Sequence, residues 1–483
     1  MIFVTAMWII IVLAALVLIF AHEMRVEVVA SANRAYTDQA SSIEHGAEQY
    51  VLAAVDACGG DAITVMQTPC EQIQISAPAD ADGSFSGNGY FWIMQPYPDS
   101  DQTPNAQDYA AYGITDEASK LNLNVATSPA LSLLPQMTQP IADSIVLWRG
   151  GASSATTGQG ADSSYYQTGP RPYTAKAAKF ESVDELYLIR DMTDSILYGS
   201  DLNHNGLLDQ NELGGGGLTA QSYNGVNGTG RGIAPFLTVW SQEPNTDSTG
   251  KARINISMLT NTTQLRTALT KALPAARVAQ IIQRAMAART FKSIFDFAAK
   301  TGMKQAELEL VADSLTTSTS KTSTGLININ TASTQVLLCL PGLTSADASA
   351  IIAERATILA NASGGAGTIT TGSASNTNTD YTWIMNAITT PAKLANIGSL
   401  ITGRSFFYSA DIVAVSANGR SFKRARIVVD ARSSPPVIIY RKDLTYLGWP
   451  LDPQILAQLK ANQVLNPISG YGTGAANGIA QSP

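Results

Sequence analysis

The sequence predicts an α+β protein: one long N-terminal helix, a strand, a large helical insert of repeated units, and a closing set of antiparallel strands. Three observations carry this reading. A helical pattern runs from Met1 to about residue 57, with no proline before Pro69. A short alternating motif recurs three times in the middle of the chain. After residue 403 the period changes to two, with Ala417-Asn418-Gly419 between the β-rich runs 406–415 and 421–429.

Residues 1–21 are apolar except for Thr5, and no charge precedes His22 and Glu23. At about 1.5 Å per residue such a helix is about 31 Å long, the thickness of a bilayer core. A cleaved signal peptide would need a basic start and a shorter apolar stretch, so a retained span is expected. The pattern then continues into water. Val29, Ala32, Tyr36, Ala40, Ile43, Ala47, Tyr50 and Ala54 recur every three or four residues as one apolar stripe. Arg25, Glu27, Arg34, Asp38 and Glu48 lie off it.

The next strand is 89–95, GYFWIMQ. The repeats follow. Lys120-Leu121-Asn122-Leu123-Asn124 returns as Arg253-Ile254-Asn255-Ile256-Ser257 and as Leu326-Ile327-Asn328-Ile329-Asn330. Each copy leads to a Leu-Pro (134–135, 273–274, 340–341) and then to a second helix ending in Arg149, Arg284 or Arg355. These units predict a helical body over 127–396. The Gly/Ser/Thr-rich stretches 151–170, 214–230, 314–325 and 362–380 read as surface loops. A third closing strand is expected at 437–440, and 461–483 as a mobile tail.

Composition limits function. The chain has 483 residues, 31 Lys+Arg against 38 Asp+Glu, 14% charged residues, three Cys and three His. So little positive charge disfavours general nucleic-acid binding. His22 lies at the membrane boundary, His45 in the long helix and His204 in the loop described next, which leaves none for a Ser/His/Asp or Cys/His arrangement. No phosphate-binding glycine loop appears. The chain is expected not to be an enzyme.

One segment has explicit chemistry. Residues 201–212, DLNHNGLLDQNE, fit the calcium-loop pattern D-x-[DN]-x-[DN]-G-x5-E. Calcium takes six to eight hard oxygen ligands. Asp201, Asn203 and Asn205 supply side-chain oxygens, Leu207 its carbonyl, Asp209 a direct or water-mediated contact, and Glu212 two oxygens. Residues 186–198 read as an entering helix. Four glycines at 214–217 forbid an exiting one, so a structural Ca2+ rather than a sensor switch is expected.

The start MIFVTAMWIIIVLAALVLIFAHEMRVEV resembles the mature N-terminus of the type II secretion minor pseudopilin called protein K. The segment 114–124, an acidic pair leading into N-x-N, is similar to that family's signature. Thr5 stands where most pilins have Glu, a departure that protein K shares. The resemblance implies a pilin-like long helix packed on an antiparallel sheet, with an inserted domain of helix-hairpin-helix/SAM-like units. It implies a subunit at the tip of the pseudopilus that initiates and caps assembly for protein export. Its partners would be other minor pseudopilins, with a prepilin peptidase for processing, and its place the bacterial inner membrane with the C-terminal bulk in the periplasm. Family members carry a basic leader, and on that alignment Met1 stands near the first mature residue. Thr5, Val29, Tyr36, Ile43 and Tyr50 would form the partner-binding helix face. In an oxidising periplasm Cys58 and Cys70 can close a loop, with two free thiols as the alternative. The implied divisions are 1–22 and 23–57 for the two halves of the helix, and 58–126 for the first part of the pseudopilin domain. The insert follows at 127–396, then the last strands at 397–460 and the tail at 461–483. Two alternatives remain open. The hairpin Leu340-Pro341-Gly342-Leu343-Thr344 resembles that of membrane-anchored DNA-uptake proteins, although Thr344 replaces their second glycine. A tip subunit of a related type IV pilus is the other.

Overall fold

A computed structural model describes residues 2–75, 88–96, 111–151, 160–168, 172–206, 212, 232–363, 378–461, 463 and 465. Helix α1 (Ile2–Asp56) is a single element, as the missing proline predicts. Its first part is exposed and apolar, and long enough to cross a membrane, with a mean hydropathy of 3.0. From Ala40 onward it is embedded in the rest of the protein.

That embedding is on a seven-stranded antiparallel sheet. Its strands are β1 (Ile73–Ile75), β2 (Gly89–Gln95), β3 (Ala111–Tyr112), β4 (Thr115–Asp116), β5 (Phe407–Val415), β6 (Phe422–Asp430) and β7 (Val437–Asp443). The order is β1-β2-β5-β6-β7, with β3 on β2 and β4 on β5. Strands on either side of the insert therefore meet directly: Ile412 pairs with Ile93 and Val413 with Trp92. The hairpin forms where Asn-Gly predicts it, with Gly419 at φ +63°.

Alternation along the strands assigns the faces. Ile93, Ala410, Ile412, Ile427 and Val429 meet Ile43, Ala47, Val51 and Val55 of α1 in one apolar cluster. The opposite face is shared. Tyr90, Trp92, Val413 and Val415 pack under a C-terminal helix, Pro453–Lys460, through Leu451, Ile455 and Leu459. The rest of that face looks toward the helical insert.

The insert has its own large core, and the structure explains the repeat. Each copy makes a two-residue parallel ladder: Leu121–Asn122 with Leu237–Thr238, Ile254–Asn255 with Leu315–Thr316, and Ile327–Asn328 with Ile401–Thr402. The first Asn of each copy then turns on itself. Asn122, Asn255 and Asn328 Oδ1 accept the amides of Asn124, Ser257 and Asn330 at 2.8, 2.8 and 3.1 Å. Such a self-bonded turn suits Asn and ends the strand. Arg149 and Arg355 reach back to this turn, donating to Leu123 and Ala126 carbonyls and to those of Ile329 and Ala332. Arg284 instead donates to Thr301 O at 3.0 Å.

Two stretches expected to be loops are partly ordered. Within 151–170 a helix, Ser163–Gln167, is capped by Asp162 and buries Tyr166 edge-on to Trp148, ring centroids 5.4 Å apart. Within 314–325, Leu315–Thr316 forms a ladder and Thr322–Thr324 pairs with Gln242–Pro244. Aromatic packing and backbone pairing outweigh the small-residue composition. The loops expected at 214–230 and the tail at 466–483 lie outside the described residues.

Candidate functional site

The first half of the acidic loop is folded around its own carboxylate. Asp201 is 1% exposed, and its two oxygens accept the amides of Asn205 at 3.1 Å and Gly206 at 2.9 Å. Asn203 Oδ1 accepts the Asn205 amide at 2.9 Å. Gly206 has φ +85°, where a side chain would be strained and its Cβ would meet Pro96 at 2.7 Å. Glu212 closes the far side, its Oε1 accepting the amides of Leu202 and Asn203 at 2.9 and 3.2 Å. Asp201, Asn203, Asn205 and Glu212 are thus gathered on one small loop. Leu207 and Asp209 lie outside the described residues. Two carboxylates and two amide oxygens are hard donors of the kind calcium takes, so the residues present fit the ion.

The flank before the loop differs from expectation. Residues 186–198 are not one helix but a 3-10 turn, Val183–Leu188, and a short helix, Asp194–Leu197. Asp191 between them has φ +61°, a conformation that interrupts a helix, and Thr193 caps the second piece. His204 stacks on Tyr198, centroids 4.1 Å apart, and its Nε2 lies 3.3 Å from the Tyr187 hydroxyl.

The loop sits against β6. Arg424, 1% exposed, donates from Nη2 to the Asn205 carbonyl at 2.5 Å and to Asp411 at 3.3 Å. Arg426 binds both oxygens of Asp411 at 2.6 and 2.9 Å. Burial pushes the Asp411 carboxyl up, but the two guanidiniums outweigh it and hold it below the ordinary carboxylate range. Beside this cluster a cavity of about 510 Å³ separates insert from sheet, lined by Tyr187, Trp240, Tyr440, Arg426 and Lys442 among others.

At the other end of the junction lie Asp116 and Glu117, the acidic pair of the sequence motif. Asp116 accepts from Ala118 N, Asn328 Nδ2, Thr331 and Ser405 at 2.5–2.9 Å. Burial still outweighs these hydrogen bonds and raises its pKa. Glu117 is equally buried, but Lys120 at 2.6 Å and the hydroxyls of Ser409 and Thr238 hold it below the ordinary range. Glu243 likewise joins Arg404, Arg253 and Thr402. These acids tie segments far apart in sequence, and only the Asp-Glu pair was visible beforehand as part of a motif.

Other expected sites are dispersed. Thr5 and Val29 are exposed on α1, and Tyr36 is half-buried. Ile43 is 6% exposed against the chain's own sheet; Tyr50 donates to Pro69 O at 2.8 Å and packs on Phe91. That part of the stripe is intramolecular core. Cys58 and Cys70 are both free thiols, so the disulfide is not formed here. Cys58 Sγ lies 3.0 Å from Ala54 O, its i−4 carbonyl in α1, while burial pushes the Cys70 thiol up to about 12. His45 pairs with Glu48 at 3.0 Å.

A long helix, apolar and exposed over its first part, lies on an antiparallel sheet that a helical insert interrupts, which is the α+β arrangement the sequence predicts. Residues 120–198 match the family model described as type II secretion system (T2SS), protein K, first domain. Over this segment the chain is similar to the first domain of protein K of the type II secretion system, the family its N-terminus and acidic motif resemble. A chain of the crystal structure of the GspK-GspI-GspJ complex from the enterotoxigenic Escherichia coli type 2 secretion system is similar at 10% identity. The match covers 84% of this chain and 96% of that one, with a TM-score of 0.34. A likeness that loose adds nothing to the family match. No curated protein matches the chain significantly.

Proposed function

We propose that this chain is a minor pseudopilin at the tip of a type II secretion pseudopilus. There it starts and caps assembly for protein export across the outer membrane. The observation that carries this reading is α1: its apolar half is exposed and spans the length of a bilayer, while its other half is core of a head that contains the segment similar to protein K. The helix anchors in the inner membrane, a prepilin peptidase processes the precursor, and the head lies in the periplasm. Other minor pseudopilins pack on the exposed face around Val29 and Tyr36, and the bulk of the insert blocks addition above it. Thr5 suits an end position, because a buried carboxylate without a partner cation is costly.

The protein is read as a binding and assembly subunit, not an enzyme. DNA is disfavoured as a ligand by charge. At the hairpin, Asp347 accepts from Thr344 N and Oγ1, both at 2.7 Å, and Lys393 helps hold its carboxyl down to about 2. The Thr344 amide and hydroxyl and the Lys393 ammonium are thus taken up by Asp347 rather than offered to a phosphate. Co-purification from membranes tests the assignment. Val29→Asp with Tyr36→Asp should lose partner pseudopilins while the head stays folded; partners retained by this variant would sink it.

The loop would hold a structural calcium through Asp201, Asn203, Asn205, the Leu207 carbonyl, Asp209 and Glu212. The ion would supply the charge that brings these oxygens together. Chelation should lower the melting temperature of wild type and leave Asp201→Ala unmoved. An unchanged wild-type melt would count against the site.

A further inference from the structure

We propose that the 201–206 loop is a clasp between the helical insert and the sheet, with Arg424 as the residue that couples them. The proposal rests on the calcium reading above and extends it to a second element. Arg424 stands on the face of β6 turned toward the insert, in the same cross-strand row as Val413 and Trp92. Its guanidinium is buried, and its Nε and Nη1 have no hydrogen-bond partner among the described residues. Among the described residues only Nη2 is engaged, by the Asn205 carbonyl and by one oxygen of Asp411. That carboxylate is already held at both oxygens by Arg426. A buried cation with so few acceptors depends on each of them. The loop cannot leave the sheet without stranding Arg424.

The fit on the sheet side is close, since Gly206 abuts Pro96 with no room for a Cβ. At the far end of the cavity the Asp116 and Glu117 network ties insert to sheet through Asn328, Thr238 and Ser409. The cavity intervenes, bridged at its rim by Lys442 to Asp184 at 3.2 Å and by Trp240 against Tyr440, centroids 5.2 Å apart. The insert therefore grips this part of the sheet at separate points. The loop is the point at which a bound ion fixes the carbonyl that Arg424 needs. Coupling of this kind is reciprocal: an ion that orders the loop favours docking, and docking favours the ion.

Amide hydrogen exchange on the full-length protein, with and without calcium, tests this, and terbium luminescence reports ion binding separately. Calcium should slow exchange several-fold on both sides of the cavity, in 183–197 of the insert and 438–446 of the sheet. Arg424→Gln should still bind terbium and keep the slowing in the insert, but lose it in the sheet. Should that variant fail to fold, Pro96→Gly removes the contact at Gly206 and makes the same comparison. Ion binding without any change at 438–446 in wild type overturns the clasp and leaves the metal site standing. Absence of both terbium and calcium binding overturns the two together.

Discussion

On one face of the sheet, Ile93, Ile412, Ile427 and Val429 meet Ala47, Val51 and Val55 of α1 in one buried apolar cluster. On the other, Asp411, Arg424 and Arg426 meet a polar loop beside a cavity of about 510 Å³. The first contact is non-directional burial, which tolerates small shifts and rewards area. The second depends on a few aligned hydrogen bonds between charges, which are lost all at once when one partner moves. The helix is thus a permanent part of the head, while the insert is attached through specific points.

The comparison can be broken at Asp411. Replacing it by Ala leaves two arginines without their carboxylate, one of them fully buried, and should cost about 3–5 kcal/mol in denaturant unfolding. A loss under about 1 kcal/mol would show that the polar face is not tightly engaged. Next comes Ile412→Ala on the helix face, expected to cost about 2–5 kcal/mol through lost burial and cavity formation. Tyr440→Ala, beside the existing cavity, should cost less, about 0.5–2 kcal/mol. Equal losses would mean the two faces are packed alike. The smallest effect concerns pH. Glu117 has a lowered pKa in the fold, so its contribution is present above the unfolded value of about 4.3 and fades as pH falls below it. Asp116 has a raised pKa and opposes this, favouring the fold as pH falls. Glu117→Gln should therefore flatten the fall in melting temperature on acidification below about pH 4.5. A variant whose melt falls as steeply as wild type would remove Glu117 from the account.

Much of this arrangement is legible in the sequence, and the rest is not for identifiable reasons. The uninterrupted period of α1, the Asn-Gly hairpin and the repeated N-x-N motif are local patterns that the chain must satisfy wherever it folds. The partners of those motifs are not local. Nothing marks Thr238, Thr316 and Thr402 as the ends of three equivalent ladders, because a two-residue strand has no period. The acidic loop shows its ligand types in order, yet the arginine that holds its back is more than 200 residues away. The stripe on α1 predicts an apolar face but not whose core it enters. Tyr36 and Val29 remain outside the head, while Ile43 is inside it. Residues 186–198 mislead because their apolar spacing suits a helix, whereas the positive φ of Asp191 and the cap at Thr193 divide it.

The exposed stretch of α1 between the apolar run and the sheet has a mechanical consequence. Residues 22–39 are continuous helix with few contacts to the head. At about 1.5 Å per residue they form a strut of about 27 Å. A loop of the same length would absorb motion as slack. A helix rooted in the core at Ala40, Ile43 and Ala47 transmits thrust, so a displacement of the apolar N-terminal half along the helix axis reaches the head almost undiminished.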